Sequence, residues 1–254
     1  EIAEHADPPL PSSQYQLLAT RYLGNLVKTK RFREASKLCT RLLRHDRDMW
    51  QQWVLVFHEH GQLREIGFYV PYKEFQLEQS TYEMILASFL NGNDDVGFRH
   101  LISKWLCNNG DSGTSNVTDF PYTNDQNKKN VQGNDKDAEG GTNPPLFNMI
   151  IVIAKVKAIL DRRESFVLRE TLSYLYMVTN DEENAIHHYL DYPQNPESVA
   201  QSPLPLSIFK FIEKKNLFHK LVTPVGTQRF TNLMRIDENL ALKLILKVPE
   251  DVLS

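Results

Sequence analysis

Apolar residues recur at helical spacing along almost the whole chain, and Gly and Pro stand between these segments instead of inside them. The alternation of apolar and polar residues that is typical of strands is nearly absent. Polar N-cap candidates, namely Ser12 or Ser13, Asp46 or Asp48, and Asp237, precede several segments. The pattern predicts helices at 12–29, 32–44, 63–69, 77–90, 96–106, 146–160, 166–178, 184–190, 206–218 and 238–247. A further helix, capped by Asp46 or Asp48, carries Trp50, Trp53, Val54 and Phe57 and ends near Gly61.

The apolar stripe of each helix predicts which face is buried. In the second helix, the small side chain of Ala35 is expected to let the first helix approach closely, so that the two form an antiparallel hairpin. Residues 149–160 are the most apolar run and are predicted to form a buried helix. In the first helix, the predicted buried stripe consists of Leu17, Leu18, Tyr22, Leu26 and Val27.

Pairs of helices with short loops are the unit of helical-repeat proteins, in which each hairpin buries its open face against its neighbours. We therefore predict an all-α fold, an α-solenoid of antiparallel helical hairpins. The period is irregular, about 35–45 residues, and has no clear consensus, which excludes a regular TPR or ankyrin array. An ordinary globular helical domain is the alternative that this pattern leaves open.

One segment, 108–145, differs in composition from the rest: it contains eight Asn, five of the eleven Gly and few apolar residues. Such a segment cannot bury enough surface to offset the entropy lost on ordering, so we predict a disordered insert. The predicted organisation is an N-terminal part of the solenoid at 1–107, the insert at 108–145, and a continuation at 146–254 with a polar, Pro-rich loop at 191–205.

The net charge of −3 resides in this insert, which carries six acidic residues against three lysines and leaves 26 of each sign elsewhere. The rest of the chain therefore lacks the basic excess that nucleic-acid binding requires and the polybasic patch that anionic membranes attract. No apolar run approaches the roughly 18–20 residues of a membrane span. We predict no nucleic-acid partner and no direct membrane insertion. Because the chain does not begin with Met, we expect it to be a piece of a longer protein.

The residues that could carry chemistry lack the spacing that such chemistry needs. The two histidine clusters, His58 with His60 and His187 with His188, have no i, i+4 pair with a third ligand, so we interpret both as solvated helix surface. No nucleophile elbow or phosphate-binding glycine loop occurs. We predict no catalytic, cofactor-binding or metal-binding residue and no small-molecule substrate. A small all-helical enzyme, the second alternative, would need a pocket with convergent titratable groups.

Cysteine and tryptophan residues fall on the apolar stripes. Cys39 and Cys107 are too few for a disulfide framework, which favours a reducing, cytosolic setting. Trp50, Trp53 and Trp105 are expected in the core, although any one of them could anchor a partner protein.

Four stretches of sequence, taken in order, point to a known family. The first holds Gly61-Gln62-Leu63 and Tyr69-Val70-Pro71; the second holds Tyr82-Glu83-Met84-Ile85-Leu86, Phe89-Leu90, Gly97-Phe98, Leu101-Ile102 and Trp105; the third holds Thr171-Leu172, Leu175-Tyr176, Ala185 and Tyr189-Leu190; the fourth holds Ile208-Phe209, Ile212, Lys214 and Asn216-Leu217-Phe218. Together they resemble the clathrin-heavy-chain-repeat, TPR-like region of the vacuolar protein sorting-associated protein forty-one family. The longer polar segments at 108–145 and 191–205 depart from that pattern and suggest a fungal member.

The resemblance implies a subunit of the HOPS tethering complex, which bridges vacuoles or late endosomes before fusion. Family members also carry a β-propeller and a RING-type zinc domain, and the resemblance covers only the solenoid. It implies a non-enzymatic scaffold that binds other HOPS subunits, an adaptor coat or further copies of itself, in the cytoplasm at the periphery of vacuole and late-endosome membranes. The hairpins at 46–106 and 146–218 are expected to hold the contacts. A segment of another coat or tethering subunit is the first alternative.

Overall fold

A computed structural model of the protein describes residues 12–107, 145–192, 205–222 and 226–248. These residues form thirteen helices and no strand. In chain order the helices are α1 (Ser12–Lys28), α2 (Phe32–Leu42), α3 (Arg47–Glu59), α4 (Leu63–Gly67), α5 (Gln79–Asn91), α6 (Asp95–Cys107), α7 (Met149–Leu160), α8 (Phe166–Val178), α9 (Glu182–Leu190), α10 (Pro205–Lys214), α11 (His219–Val222), α12 (Gly226–Ile236) and α13 (Glu238–Ile245). The all-α, TPR-like solenoid class predicted from the pattern is confirmed.

The chain divides into two compact units. Unit 1 contains α1 to α5 together with residues 145–148, and unit 2 contains α6 to α13. The segment 145–148 belongs to unit 1, where the backbone N–H of Asn148 donates a hydrogen bond of 3.0 Å to the carboxylate of Glu83 on α5. The predicted insert lies, apart from Pro145, outside the described residues, and its disorder stays a prediction.

Five helix ends in the described part of the chain share one backbone turn. In each, one residue takes a left-handed φ between 53° and 66°, its N–H bonds to the carbonyl three positions earlier, and the next N–H bonds to the carbonyl five positions earlier. This is the Schellman motif, which satisfies the last carbonyls of a helix. The left-handed residues are Lys30, Gly61, Asn93, Asn180 and Asn216.

The turn also sets where the following helix starts. After four of these five residues the next helix begins two positions later, at Phe32, Leu63, Asp95 and Glu182. Within each unit, so short a connection brings consecutive helices against each other, as in α1 with α2, α3 with α4 and α8 with α9. The repeat that the sequence shows only weakly is therefore present in the geometry of the turns.

Side-chain caps fix the starts of several helices. The side chain of Asp46, and not that of Asp48, accepts a hydrogen bond of 3.0 Å from the backbone N–H of Met49 and caps α3. Asp237 caps α13 in the same way, through a hydrogen bond of 2.9 Å from the N–H of Leu240. Both caps agree with the sequence-based prediction, and the first decides between the two aspartates.

The core of unit 1 corrects the predicted face of α1. The buried positions are Ala19, Leu23, Leu26 and Val27, which face α2, whereas Leu17, Leu18 and Tyr22 are 52%, 47% and 54% exposed. The predicted stripe is therefore wrong at three of its five positions. The buried set lies on one face at spacings of i, i+4, i+7 and i+8, and α1 contacts α2.

The connection between α4 and α5 is held by one tyrosine. The hydroxyl of Tyr82, a fully buried residue of α5, donates to the carbonyl of Pro71 at 2.7 Å and accepts from the N–H of Leu77 at 3.0 Å. Two backbone groups of an irregular segment are thereby satisfied by one side chain. This explains how a segment without helix or strand packs onto the core.

In unit 2 the buried helix is α8, and not the more apolar α7. Every residue of α8 from 171 to 178 is buried, because α6, α7 and α9 all contact this helix. In α7 only Val152 and Val156 are buried, and Ile150 is 77% exposed. The prediction that residues 149–160 form a buried helix is wrong. Although α7 is the more apolar helix, only the i, i+4 pair Val152 and Val156 is buried.

The last part of the chain departs most from the predicted helices. The predicted helix at 206–218 is broken, because the left-handed Asn216 separates α10 from α11. Helix α12 was not predicted at all. Two of its buried positions, Arg229 and Asn232, are polar, so the apolar periodicity that marks a buried face is weak there.

Candidate interaction surfaces

A cleft of about 340 Å³ lies in unit 1, between α2, α4 and the end of α5. Its floor contains the rings of Phe68 and Phe89, which meet edge to face with centroids 5.3 Å apart. Arg33 of α2 and Arg64 of α4 are exposed side chains in its wall. The cleft thus combines an aromatic floor with two guanidinium groups.

The turn after α5 determines where the guanidinium of Arg64 lies. A Cβ atom added to Gly92 would stand 2.9 Å from both Cζ and Nη1 of Arg64, closer than side chains approach a real Cβ. The guanidinium therefore rests against a residue without a side chain. It also lies at the C-terminal end of α5, where the helix dipole favours a positive charge. These two features favour this position of the Arg64 guanidinium.

A second polar cluster lies in unit 2, where α12 meets the end of α9. Asp191 accepts two hydrogen bonds from Arg229, at 2.5 Å from Nε and 2.7 Å from Nη2, and His187 Nδ1 lies 2.9 Å from the same carboxylate. The side chain of Asn232 donates to the carbonyl of Leu190 at 2.7 Å. We call Asp191, Arg229, His187 and Asn232 the α9–α12 junction. It satisfies the carbonyl of Leu190 and the first residue after α9 with polar groups of α12.

The charges of this junction depend on each other. Burial alone would raise the pKa of Asp191, but the hydrogen bonds and charges of Arg229 and His187 outweigh it and lower that pKa. The hydrogen bonds that Arg229 donates to Asp191 raise the pKa of Arg229 in turn. Both groups are therefore ionised at neutral pH, and the pair forms a two-pronged, charge-assisted contact.

An aromatic stack lies beside the junction. The imidazole of His188 is nearly parallel to the rings of Tyr176 and Tyr192, with interplanar angles of 4° and 5° and centroid distances of 5.6 and 6.5 Å. The guanidinium of Arg169 covers Tyr192 at 3.7 Å from the ring centroid. The interpretation of His187 and His188 as solvated surface is therefore wrong. Both are half-buried, because α8 and Tyr192 cover one side of α9.

We expect His188 to stay neutral well below the usual range for histidine. Burial lowers its pKa to about 4, and the nearby charges of His187, Arg169 and Lys157 add to this effect. In an unfolded chain the same group titrates near 6.5, so the unfolded state binds more protons between these values. Stability is therefore complete above about pH 6.5 and decreases as the pH falls towards about 4.

The measurement is the urea midpoint of the chain as a function of pH, combined with an NMR titration of the His188 imidazole. His188→Phe keeps a flat ring in the stack and removes the ionisable group. We expect the stability of this variant to decrease less below about pH 6.5 than the stability of the unchanged chain. An unchanged pH dependence in His188→Phe would refute the assignment.

The tryptophans, Cys39 and the histidines of α3 and its C-terminal turn show no sign of a functional site. Trp50, Trp53 and Trp105 are all buried, so none of them is a surface anchor in this structure. Cys39 is fully buried, and its burial raises its pKa to about 12, so it behaves as a small apolar side chain. His58 and His60 are exposed, as expected.

Within the described residues, no group of three or more His, Cys, Asp or Glu residues is arranged to hold a metal ion. None of the thirteen helices is both long enough and apolar enough to span a lipid bilayer. The cleft and the α9–α12 junction were not predicted, since their residues come from separate helices and carry no common sequence motif.

Known proteins of one family are similar to this chain. A family model described as the Vps41 TPR-like region matches residues 17–132. Vacuolar protein sorting-associated protein 41 of Schizosaccharomyces pombe is 26% identical over 182 residues, which are 71% of this chain. The Mus musculus homologue is 25% identical over 226 residues, or 89% of this chain, and the Danio rerio homologue is 34% identical over 90 residues, or 35%. The chain is therefore similar to Vps41 proteins of fungi and animals over most of its length.

The chain corresponds to only a small part of each relative. The chain spans 16% of the length of the Schizosaccharomyces pombe relative, 20% of the Mus musculus relative and 10% of the Danio rerio relative. No solved structure matches the chain. The Vps41 TPR-like region covers α1 to α6 and so includes the cleft of unit 1, whereas the α9–α12 junction lies beyond its last residue.

Proposed function

We propose that this chain is a non-enzymatic scaffold segment of a membrane-tethering complex, HOPS, acting in vesicle-mediated transport to the vacuole and late endosome. The observation that carries the proposal is the Vps41 TPR-like region at residues 17–132. The relatives that match bear the name of vacuolar protein sorting-associated proteins. The partners are other subunits of the complex, and the protein acts in the cytoplasm at the periphery of these membranes.

The fold supports this role on physical grounds. Hairpins joined by short turns bury their apolar faces against neighbouring hairpins and leave long polar faces in solvent. Such faces bind other proteins without an enclosed pocket. In this view the chain provides contact surface and length. We propose that it is organised into two parts of a solenoid, 1–107 and 146–254, with an insert at 108–145 between them.

The proposal is tested with the longer protein to which this segment belongs, expressed in its own cells. Residues 17–132 are replaced by an unrelated helical-repeat sequence of equal length, and the associated proteins are quantified by affinity purification and mass spectrometry. We expect loss of the other tethering subunits and slower delivery of a vacuolar cargo. Full retention of both would contradict the proposal, whereas enrichment of coat subunits instead would favour the alternative of a coat scaffold.

A further inference from the structure

We propose that the cleft of unit 1 binds an acidic peptide segment of a partner protein, with Arg33 and Arg64 contacting its carboxylates and the aromatic floor receiving an apolar side chain. The proposal rests on the proposed scaffold function, because it names the kind of segment that one surface of the scaffold recognises. It concerns a surface formed by α2, α4 and the end of α5.

The two arginines are the first reason. Several arginines form ion pairs with carboxylates of this chain, as Arg31 does with Glu34 and Arg163 does with Asp95. Within the described residues, neither Arg33 nor Arg64 forms an ion pair. A guanidinium offers a planar set of donors that matches a carboxylate, so the two groups are available to anionic side chains.

The position of Arg64 is the second reason. A long surface side chain normally loses much conformational entropy when it binds. Here the guanidinium already rests in the space above Gly92, at the negative end of the α5 dipole. The Arg64 side chain therefore loses less conformational entropy when a ligand binds, which favours affinity.

The floor and the size of the cleft indicate a peptide. Phe68 is half-buried, so part of its ring is open to the cleft, whereas its edge-to-face partner Phe89 is fully buried and supports it. A volume of about 340 Å³ accommodates a few side chains and is at the lower end of ligand sites, about 300–1,000 Å³. Arginine and aromatic residues are also the types that dominate binding energy at protein interfaces.

Two acidic residues, Glu65 and Asp94, also line the cleft and limit what can bind there. Glu65 lies in the first turn of α4, where its charge is favoured by the helix dipole. Asp94 has other interactions within the protein. Because these two acids repel an anionic ligand, the proposed peptide places its carboxylates at Arg33 and Arg64 and its apolar residue on the floor of the cleft.

The test uses the whole chain and a short fluorescein-labelled peptide of Asp and Glu residues around two central Phe residues, followed by fluorescence anisotropy. We expect saturable binding that weakens with added salt. Arg33→Ala and Arg64→Ala are each expected to weaken it by about tenfold, since each removes a hydrogen bond to a charged group. Arg21→Ala, an exposed arginine of α1 outside the cleft, is the matched control and should leave binding unchanged.

Gly92→Ala tests the position of Arg64 without removing any charge. The new Cβ would stand 2.9 Å from the end of the Arg64 side chain and 3.1 Å from the backbone oxygen of Ser88, so the guanidinium must move and the backbone must shift by a few tenths of an ångström. We expect weaker binding of the acidic peptide in this variant, with a small change in the urea midpoint. A merely electrostatic attraction to the surface would not respond to this change.

Three results would overturn the proposal. One is no saturable binding, and another is equal binding of a peptide with Lys in place of the acids. The third is binding that appears only after the acids of segment 108–145 are replaced by Asn and Gln, which would make the chain's own insert the occupant. If Arg64→Ala loses the peptide while the longer protein still purifies with the tethering subunits, the cleft contributes nothing to that assembly and the proposed function stands.

Discussion

Replacing Phe57 with Ala is expected to lower the free energy of unfolding of unit 1 by about 3–5 kcal/mol. Phe57 on α3 is completely buried, and its ring meets that of Phe32 edge to face with centroids 5.8 Å apart. The substitution removes the transfer free energy of the ring and leaves a cavity that the short turn after α3 cannot close by moving. The measurement is urea unfolding followed by tryptophan fluorescence, because Trp50 and Trp53 lie on the same helix.

The matched control is Leu55→Ala, on the opposite face of α3. Leu55 is 45% exposed, so its truncation removes little buried surface and should change stability by less than about 1 kcal/mol. Equal effects of the two substitutions would mean that the face of α3 assigned here to the core is wrong. The contrast therefore tests helix orientation and not only hydrophobicity.

The second large effect is expected at the α9–α12 junction. Arg229→Met should lower the free energy of unfolding of unit 2 by about 2–3 kcal/mol, because it leaves the carboxylate of Asp191 in a site that is only 19% exposed. The loss is smaller than for a fully buried pair, since Asp191 keeps some access to water and its contact with His187. The measurement is urea unfolding of the chain at neutral pH, read by circular dichroism and by Trp105.

A double variant separates the ion pair from packing. Arg229→Met with Asp191→Asn removes both charges, and we expect it to be more stable than Arg229→Met alone, because no buried charge is left without its partner. Glu34→Gln breaks the fully exposed pair with Arg31 and should produce no measurable change. Additive effects of Arg229→Met and Asp191→Asn would show that the two side chains do not interact.

Much of the helical frame could be predicted from the sequence. Eleven of the thirteen helices overlap predicted segments, and most breaks fall at Gly, Pro, Asn and capping Asp residues. Those residues act through local physics: Asp237 accepts a bond from its own helix, and Gly61 takes a left-handed φ of 66° that most residues avoid. Local effects of this kind depend only on neighbours in sequence, so a pattern can find them.

The face of a helix was harder to predict where apolar residues lie on more than one side. Helix α1 has Leu18 and Tyr22 on one side and Leu23 and Leu26 on another, and both pairs have helical spacing. Only the approach of α2 decides which pair is buried. The same holds for α7, whose apolar composition says nothing about how many helices contact it.

Helix α12 was missed for the opposite reason. Its buried face contains Arg229 and Asn232, which a periodicity argument counts as surface residues. They are buried because Asp191 and the carbonyl of Leu190 supply their hydrogen-bond partners. Those partners are about forty residues away in sequence, so no local pattern marks the pairing.

The sequence by itself determined that this protein is a series of paired helices, and its order of motifs pointed to the family. Helix periodicity and caps depend on residues close in sequence, so they can be predicted without the tertiary structure. Only the tertiary structure decided which faces are buried, which polar groups meet at the end of α9, and how Gly92 positions Arg64 beside the aromatic floor. Each of these depends on side chains that folding brings together from separate helices.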